Sequence, residues 1–420
     1  MRNCITKTLA LGVLAGVGVT EAQEARNDLL LRKLVEKGVL TQKEADQMKL
    51  EAEREQYVLW QQAPDLPAWV DKMSMSGDLR LRYETFNSAG GGGTKPARER
   101  FRYRFRYGIS ATVNEDWLLG FRLASGGTGD PTSTNETMDD DGANDTLTID
   151  RAYAAWTPAD SLTLSFGKMP NPMGFDSAVM DGDYTPEGIG LQWSTGLAED
   201  HILGINAMGI VVNESSTDSS DAYAGFLRSY LDSSLSDKLS STVGLGMYNI
   251  FNKEAATDAG GQSGNTGGNA PTHNFNPIIA DAALTYKLDS FPGYEGAFPI
   301  KMGGSYIHNP GASEKNNGYM AGITFGKAKA QGSWEIGWQY RELQADSLYD
   351  NWVDSDFGAY GVGADANSYK GGTDTRGHLF KAKYQISSSM QFSATISRVQ
   401  SITTNAHPST RGQFDLIWKF

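Results

Sequence analysis

From Met73 to the C-terminus, apolar and polar residues alternate with a period of two, the pattern of strands that offer one face to an apolar medium. Leu79, Leu81 and Tyr83 alternate with Arg80 and Arg82, and Phe101, Tyr103, Phe105 and Tyr107 with Arg102, Arg104 and Arg106. Trp334, Ile336, Trp338 and Tyr340 oppose Glu335, Gly337, Gln339 and Arg341, while Phe380, Ala382, Tyr384 and Ile386 oppose Lys381, Lys383 and Gln385. The chain ends with Phe414, Leu416, Trp418 and Phe420 opposite Asp415 and Lys419. The pattern predicts about 16 strands, starting near 74, 99, 117, 146, 161, 187, 201, 221, 239, 277, 297, 317, 332, 374, 390 and 412. The segment 221 to 232 alternates poorly and leaves 18 strands open.

A soluble sandwich and a membrane barrel both alternate in this way. The connections separate them. Asn114 to Asp116, Pro158 to Asp160, Gly196 to Asp200, Lys327 to Gln331 and Ser387 to Ser389 are short. Ser88 to Pro96, Gly126 to Asp145, Met169 to Pro186, Phe251 to Asn276 and Glu342 to Thr373 are long. Short turns at one end and long loops at the other belong to an outer-membrane barrel. With an even strand count both termini fall on the short-turn, periplasmic side. Trp117, Trp156, Trp193 and Trp418 lie near strand ends, where aromatic girdles meet the lipid interface. The expected fold is an all-β transmembrane antiparallel barrel over 73–420.

Before the barrel the period changes. Leu9 to Val19 is apolar, follows Arg2 and Lys7, and runs into small residues ending at Ala22. It is too short to span a bilayer, for which a helix needs about 20 residues, and reads as a cleavable export signal over 1–22. Residues 23–63 form a helical segment expected in the periplasm. Leu30, Leu34 and Val35 recur at helical spacing, and Thr41 with Glu44 makes a capping box. A solvated helical linker and an oligomerisation or wall-binding module fit it equally.

Composition narrows the function. The chain has 37 Lys+Arg, 50 Asp+Glu and a net charge of −13, so a nucleic-acid partner is not expected. Its one cysteine, Cys4, leaves with the signal, which excludes a disulfide framework and a cysteine zinc site. Cleavage after Ala22 also removes Arg2, Lys7 and Glu21, leaving 35 basic and 49 acidic residues and a net charge of −14.

A barrel of this size leaves a water-filled lumen, lined by the polar strand faces. Arg98, Arg100, Arg102, Arg104 and Arg106 occupy alternate positions of one strand, Arg80 and Arg82 the preceding strand, and Arg122 the following one. Facing lipid, each arginine would cost about 2–4 kcal/mol near mid-membrane, so the ladder is expected to face inward. It reads either as an ion-filtering wall or as a scaffold balancing inward carboxylates. Arg151 breaks the apolar phase of Leu147, Ile149 and Tyr153, and its direction stays open.

The loop from Met169 to Pro186 carries Asp176, Asp181 and Asp183 among prolines and glycines. Folded inward, it would set these carboxylates against the arginines at a constriction; otherwise it is a surface loop. Asp139 to Asp141 and the Asp354 and Asp356 pair lack the spacing of a dedicated calcium loop and read as solvated acids. The five histidines show no metal spacing, no nucleophile elbow occurs, and Gly90 to Gly93 lacks the ending of a phosphate loop. No cofactor, metal or catalytic group is expected.

The export signal, the segment Leu30 to Glu44, Arg80 to Glu84, Arg100 to Gly108, Ile149 to Trp156 and Phe166 to Gly174 followed by Tyr184 to Trp193 resemble the putative porins of Gram-negative bacteria. The resemblance implies an outer-membrane channel for passive diffusion of ions and small hydrophilic solutes, and a trimer of the kind common among porins. Phe420 and Trp418 are similar to the terminal signal read by the barrel-assembly machinery. The rival readings are an adhesive or structural anchor with a non-conducting barrel, and a barrel enzyme. The mature charge argues for cations and the arginine ladder for anions; because a constriction outweighs the total charge, the lean is toward anions.

Overall fold

The computed structural model describes Lys37 and residues 70–88, 98–216, 220–256, 264–268, 272–360, 369–403 and 408–420. The expected export signal, the helical segment apart from Lys37, and Gly90 to Gly93 lie outside these residues.

Sixteen antiparallel strands close into one barrel. They are β1 (Val70–Ser88), β2 (Arg98–Val113), β3 (Trp117–Ser125), β4 (Leu147–Ala159), β5 (Leu162–Lys168), β6 (Glu187–Ala198), β7 (His201–Asn213) and β8 (Ala222–Ser236). They continue as β9 (Leu239–Phe251), β10 (Ile278–Leu288), β11 (Phe298–His308), β12 (Asn317–Gly326), β13 (Trp334–Leu343), β14 (Thr375–Gln385), β15 (Met390–Ser401) and β16 (Ser409–Lys419). Each pairs with its sequence neighbours, and β1 closes the ring by pairing with β16, where Arg82 lies opposite both Arg102 and Asp415. The short turns and both barrel ends gather at one rim and the long loops at the other. At the first short turn Asn114 and Glu115 adopt φ of 49° and 63°, the mirror-image geometry that suits the twist of a tight hairpin.

The burial pattern is that of a protein turned inside out. Phe101 is 60% exposed, and Ile149, Ile189 and Val243 are more than half exposed, whereas Glu84 is fully buried. The apolar face therefore looks outward to lipid, and the polar face is enclosed by the wall.

The weakly alternating segment near 221 is the single strand β8, which sets the count at 16. Its inner face is apolar at Ala222, Ala224 and Phe226 because the loop-side interior there is itself a hydrophobic cluster. Met169, Met173, Val179 and Met180 from the loop 169–186 pack in it with Met208, Phe226, Tyr248 and Ile279 of the wall. Leu348, Tyr349, Trp352 and Val353 of the loop 344–374 complete it. Both loops fold into the barrel.

Candidate functional site

The extended backbone of β1 and β2 brings alternate arginines onto one enclosed face. Arg82 donates to Asp415 at 2.7 and 3.0 Å, and to Asp356 of the loop 344–374 at 3.2 Å. Arg104 pairs with Asp78 at 2.7 Å and with Asp183 at 3.3 Å; Arg106 pairs with the same two carboxylates at 2.7 and 2.9 Å. Arg100 and Arg411 converge on Glu84, and Arg411 also reaches Asp356 at 2.9 Å. Arg80 donates to the side chain of Asn135, and Arg102 to the carbonyl oxygen of Asn135 at 3.1 Å. Arg98 stands exposed at the start of β2. Together with Arg100, Arg102, Arg411 and Asp356 it lines a cavity of about 220 Å³.

Arg122 pairs with Asp150. Between β3 and β4 the register skips Asp150, since Arg122 lies opposite Arg151 and Leu123 opposite Ile149. This bulge puts two consecutive residues, Asp150 and Arg151, on the enclosed face, which is why Arg151 breaks the apolar phase.

The three loop carboxylates separate. Asp183 bonds to the ladder directly. Asp181 is buried, accepts from the Asp183 N–H at 2.7 Å, and donates its own N–H to the Trp352 carbonyl at 2.7 Å. Burial, with Asp354 and Asp183 close by, pushes the Asp181 carboxyl up to about 9, so it is protonated at neutral pH. Asp176 turns the chain by accepting from the Ala178 N–H at 2.9 Å, and lies away from the ladder on the edge of a second cavity. The neighbouring Phe175 packs on Gly246 of β9, where a Cβ would lie 2.5 Å from its ring, with the Arg228 guanidinium 5.7 Å from the ring centre.

Asp354 and Asp356, expected as solvated acids, are ion-paired. Asp354 holds Arg341 at 3.0 Å, and Asp356 holds Arg82 and Arg411. Burial works against the Asp356 charge, but Arg411, Arg82 and Arg80 outweigh it and keep this carboxyl well below the ordinary range. Trp352 stands between them and the loop 169–186, its ring 5.1 Å from Phe226, 5.3 Å from Tyr248 and 6.1 Å from Tyr184.

The second cavity, of about 550 Å³, lies against β10 to β14. Arg228, Lys301, Arg341, Lys381 and Lys383 line it, with Asp176, Asp281, Glu335 and Asp354. Reading the sequence for ladders misses this wall, whose cations are scattered over β8, β11, β13 and β14 and acquire their pattern only from the register. Among the described residues no group of three or more His, Cys, Asp or Glu side chains is placed to hold a metal ion.

At Gly77 the first and last barrel strands are stitched together. Gly77 donates to the Phe420 carbonyl at 2.9 Å and accepts from the Phe420 N–H at 3.2 Å. The exposed Phe420 ring lies 6.5 Å from both Phe105 and Tyr107, beside the half-buried Trp418.

Among solved structures the chain is similar to OprB of Pseudomonas putida, at 10% identity and a TM-score of 0.51 over 83% of this chain and 94% of that one. It is also similar to OmpF of Salmonella typhi in complex with daunomycin, at 9% identity and a TM-score of 0.50 over 85% of this chain and 100% of that one. These likenesses are of fold. No curated protein matches. A family model described as putative porin matches residues 91–266 and 292–420, most of the barrel, and the chain belongs to that family.

Proposed function

We propose that the protein passes ions and small hydrophilic solutes passively across the outer membrane, through a lumen narrowed by two inward loops. The observation that carries this reading is the closed 16-strand barrel with a charged enclosed face, in a chain of the porin family. Such a wall offers passing solutes fixed charges, which suits selective passage. In this reading Arg80, Arg82 and Arg98 to Arg106, with Arg122, form one wall of the lumen. Asp183 and Asp356 bring loop carboxylates against that wall and narrow it. Asp176 and the neutral Asp181 complete the constriction loop.

The remaining partners follow from the same reading. The outer face meets membrane lipid, three copies associate as porins commonly do, and the N-terminal segment lies in the periplasm. Phe420 and Trp418 present the terminal strand to the assembly machinery.

The apolar cluster in the interior favours one alternative, an anchor whose barrel is plugged. Planar-bilayer recording of the purified protein in a KCl gradient separates the two. Stepwise openings are expected; silent bilayers with folded, heat-modifiable protein would establish the anchor.

A further inference from the structure

We propose that Lys301 and Lys381, and not the arginine ladder, are the anion-selective filter of the channel. The inference rests on the channel reading above and names the residues that set its ion preference.

Much of the ladder is matched in contact: Arg82, Arg100, Arg104, Arg106 and Arg122 each reach a carboxylate, while Arg80 and Arg102 are held by Asn135. Arg80, Arg82 and Arg104 are all less than a tenth exposed, and Asp78, Asp415, Asp183 and Asp356 accept from the ladder within ion-pair distance. A charge neutralised in contact casts little field on a solute several ångströms away. The second cavity differs. Of the five cations lining it, Arg228 is paired to Asp281 at 2.9 Å, Arg341 to Asp354 at 3.0 Å and Lys383 to Glu335 at 2.6 Å. Lys301 and Lys381 make no ion pair with any described residue, and both are exposed to water although they sit on the enclosed face.

The register sets them in one row. Lys301 lies opposite Thr324, Thr324 opposite Gly337, and Gly337 opposite Lys381. Three strand spacings separate the two lysines, about 14 Å across the wall. Between them this row offers only a threonine and a glycine, and the adjoining row adds Gly303, Gly322 and Gln339, so the row joining the two lysines carries no large side chain. Two flexible four-carbon arms rooted at the ends of that row reach a solute passing between them. Their compact ammonium groups suit small hydrated anions such as chloride or a simple carboxylate. Asp176, on the turn of the loop 169–186, is the one lining carboxylate without an ion-pair partner among the described residues, and supplies the opposing pole.

The test is the reversal potential in a KCl gradient for the full-length protein, the double variant Lys301→Gln with Lys381→Gln, and a matched-pair variant, Arg104→Gln with Asp183→Asn. Wild type is expected to prefer chloride. The double variant is expected to lower the chloride-to-potassium permeability ratio about fourfold, each ammonium contributing about twofold as a unit charge some 5–8 Å away across water. The matched-pair variant, which removes one cation together with its carboxylate, is expected to leave the ratio within a factor of about 1.5. If the double variant fails to assemble, as judged by heat-modifiable migration, the two single variants carry the same test at about twofold each. A conducting double variant with an unchanged ratio, or a cation-selective wild type, overturns the lysine filter and leaves the channel standing. Silent bilayers for the wild type overturn the channel reading itself.

Discussion

The backbone N–H of Asp181 donates to the carbonyl oxygen of Trp352 at 2.7 Å, tying the loop after β5 to the loop after β13 inside the barrel. Neither loop could hold its place alone, because each leaves the wall at one side and must bury polar backbone. Joined, they share an apolar floor of Met173, Val179, Met180, Phe226 and Tyr248.

Trp352→Ala removes the centre of that floor. Truncating a buried tryptophan costs about 3–5 kcal/mol where the site cannot collapse, and here the wall strands are fixed. The loss falls on loop closure, not on the barrel ladder. The variant is expected to migrate as a normal heat-modifiable barrel while its single-channel conductance rises and becomes noisier. An unchanged, quiet conductance would mean the loops are held by their ion pairs alone.

Asp181 makes that closure sensitive to alkali. Its carboxyl is held up to about 9 by burial, then by Asp354 and Asp183, against an ordinary value of 3.8. Between those two values the closed form binds one proton more than a form with Asp181 in water, so closure weakens as pH rises across that window. Above about 9 the carboxylate ionises in place, facing Asp183, Asp354 and the already anionic Asp356. Conductance is expected to rise as pH climbs toward about 9 and to level off above it, where the two forms bind the same number of protons. Asp181→Asn keeps a neutral acceptor for the Asp183 N–H and should give a flat profile over the same range.

The alternation carried the barrel because every strand reports the same contrast between lipid and enclosed charge. It failed locally where that contrast is absent, as in β8, whose inner face meets Met180 and Trp352 and so looks apolar on both sides. Arg151 was ambiguous because one bulged residue, Asp150, shifts the phase, and a single insertion leaves no periodic trace. The fate of Asp354 and Asp356 was illegible for another reason. Their partners, Arg341, Arg82 and Arg411, lie on three different strands that meet the loop only through the curvature of the wall. Lys301 and Lys381 were hidden in the same way, since they are 80 positions apart and share a row only through the register.

Asp183 masks the ladder. Its two oxygens serve Arg104 and Arg106, which otherwise share Asp78 alone. Asp183→Asn therefore uncovers one net positive charge, and the chloride-to-potassium ratio is expected to rise about twofold. Arg104→Ser should lower it by a similar factor. The double variant should return close to wild type, because the two changes remove an ion pair and leave the net charge unaltered. Reversal potentials for the four proteins test this directly. A double variant whose ratio stays well away from that of wild type would mean that Arg104 and Asp183 do not offset each other in the lumen.

Gly77 and Phe420 decide whether the ring closes. A Cβ at Gly77 would lie 2.6 Å from the Phe420 ring and against the carbonyl of Arg106, so any side chain there pushes the terminal residue off β1. The two backbone bonds between these residues sit at the seam of β1 and β16 and would be lost with it. Gly77→Val is thus expected to cut the yield of heat-modifiable barrel severalfold, both in cells and on refolding into detergent, because closure is blocked wherever it is attempted. Deleting Phe420 leaves the rest of the β1 and β16 register from Asp78 and Lys419 onward intact. If Phe420 is chiefly a signal for the assembly machinery, that deletion should cut the yield in cells while refolding in detergent proceeds. Equal loss in both settings would assign Phe420 a closing role alone.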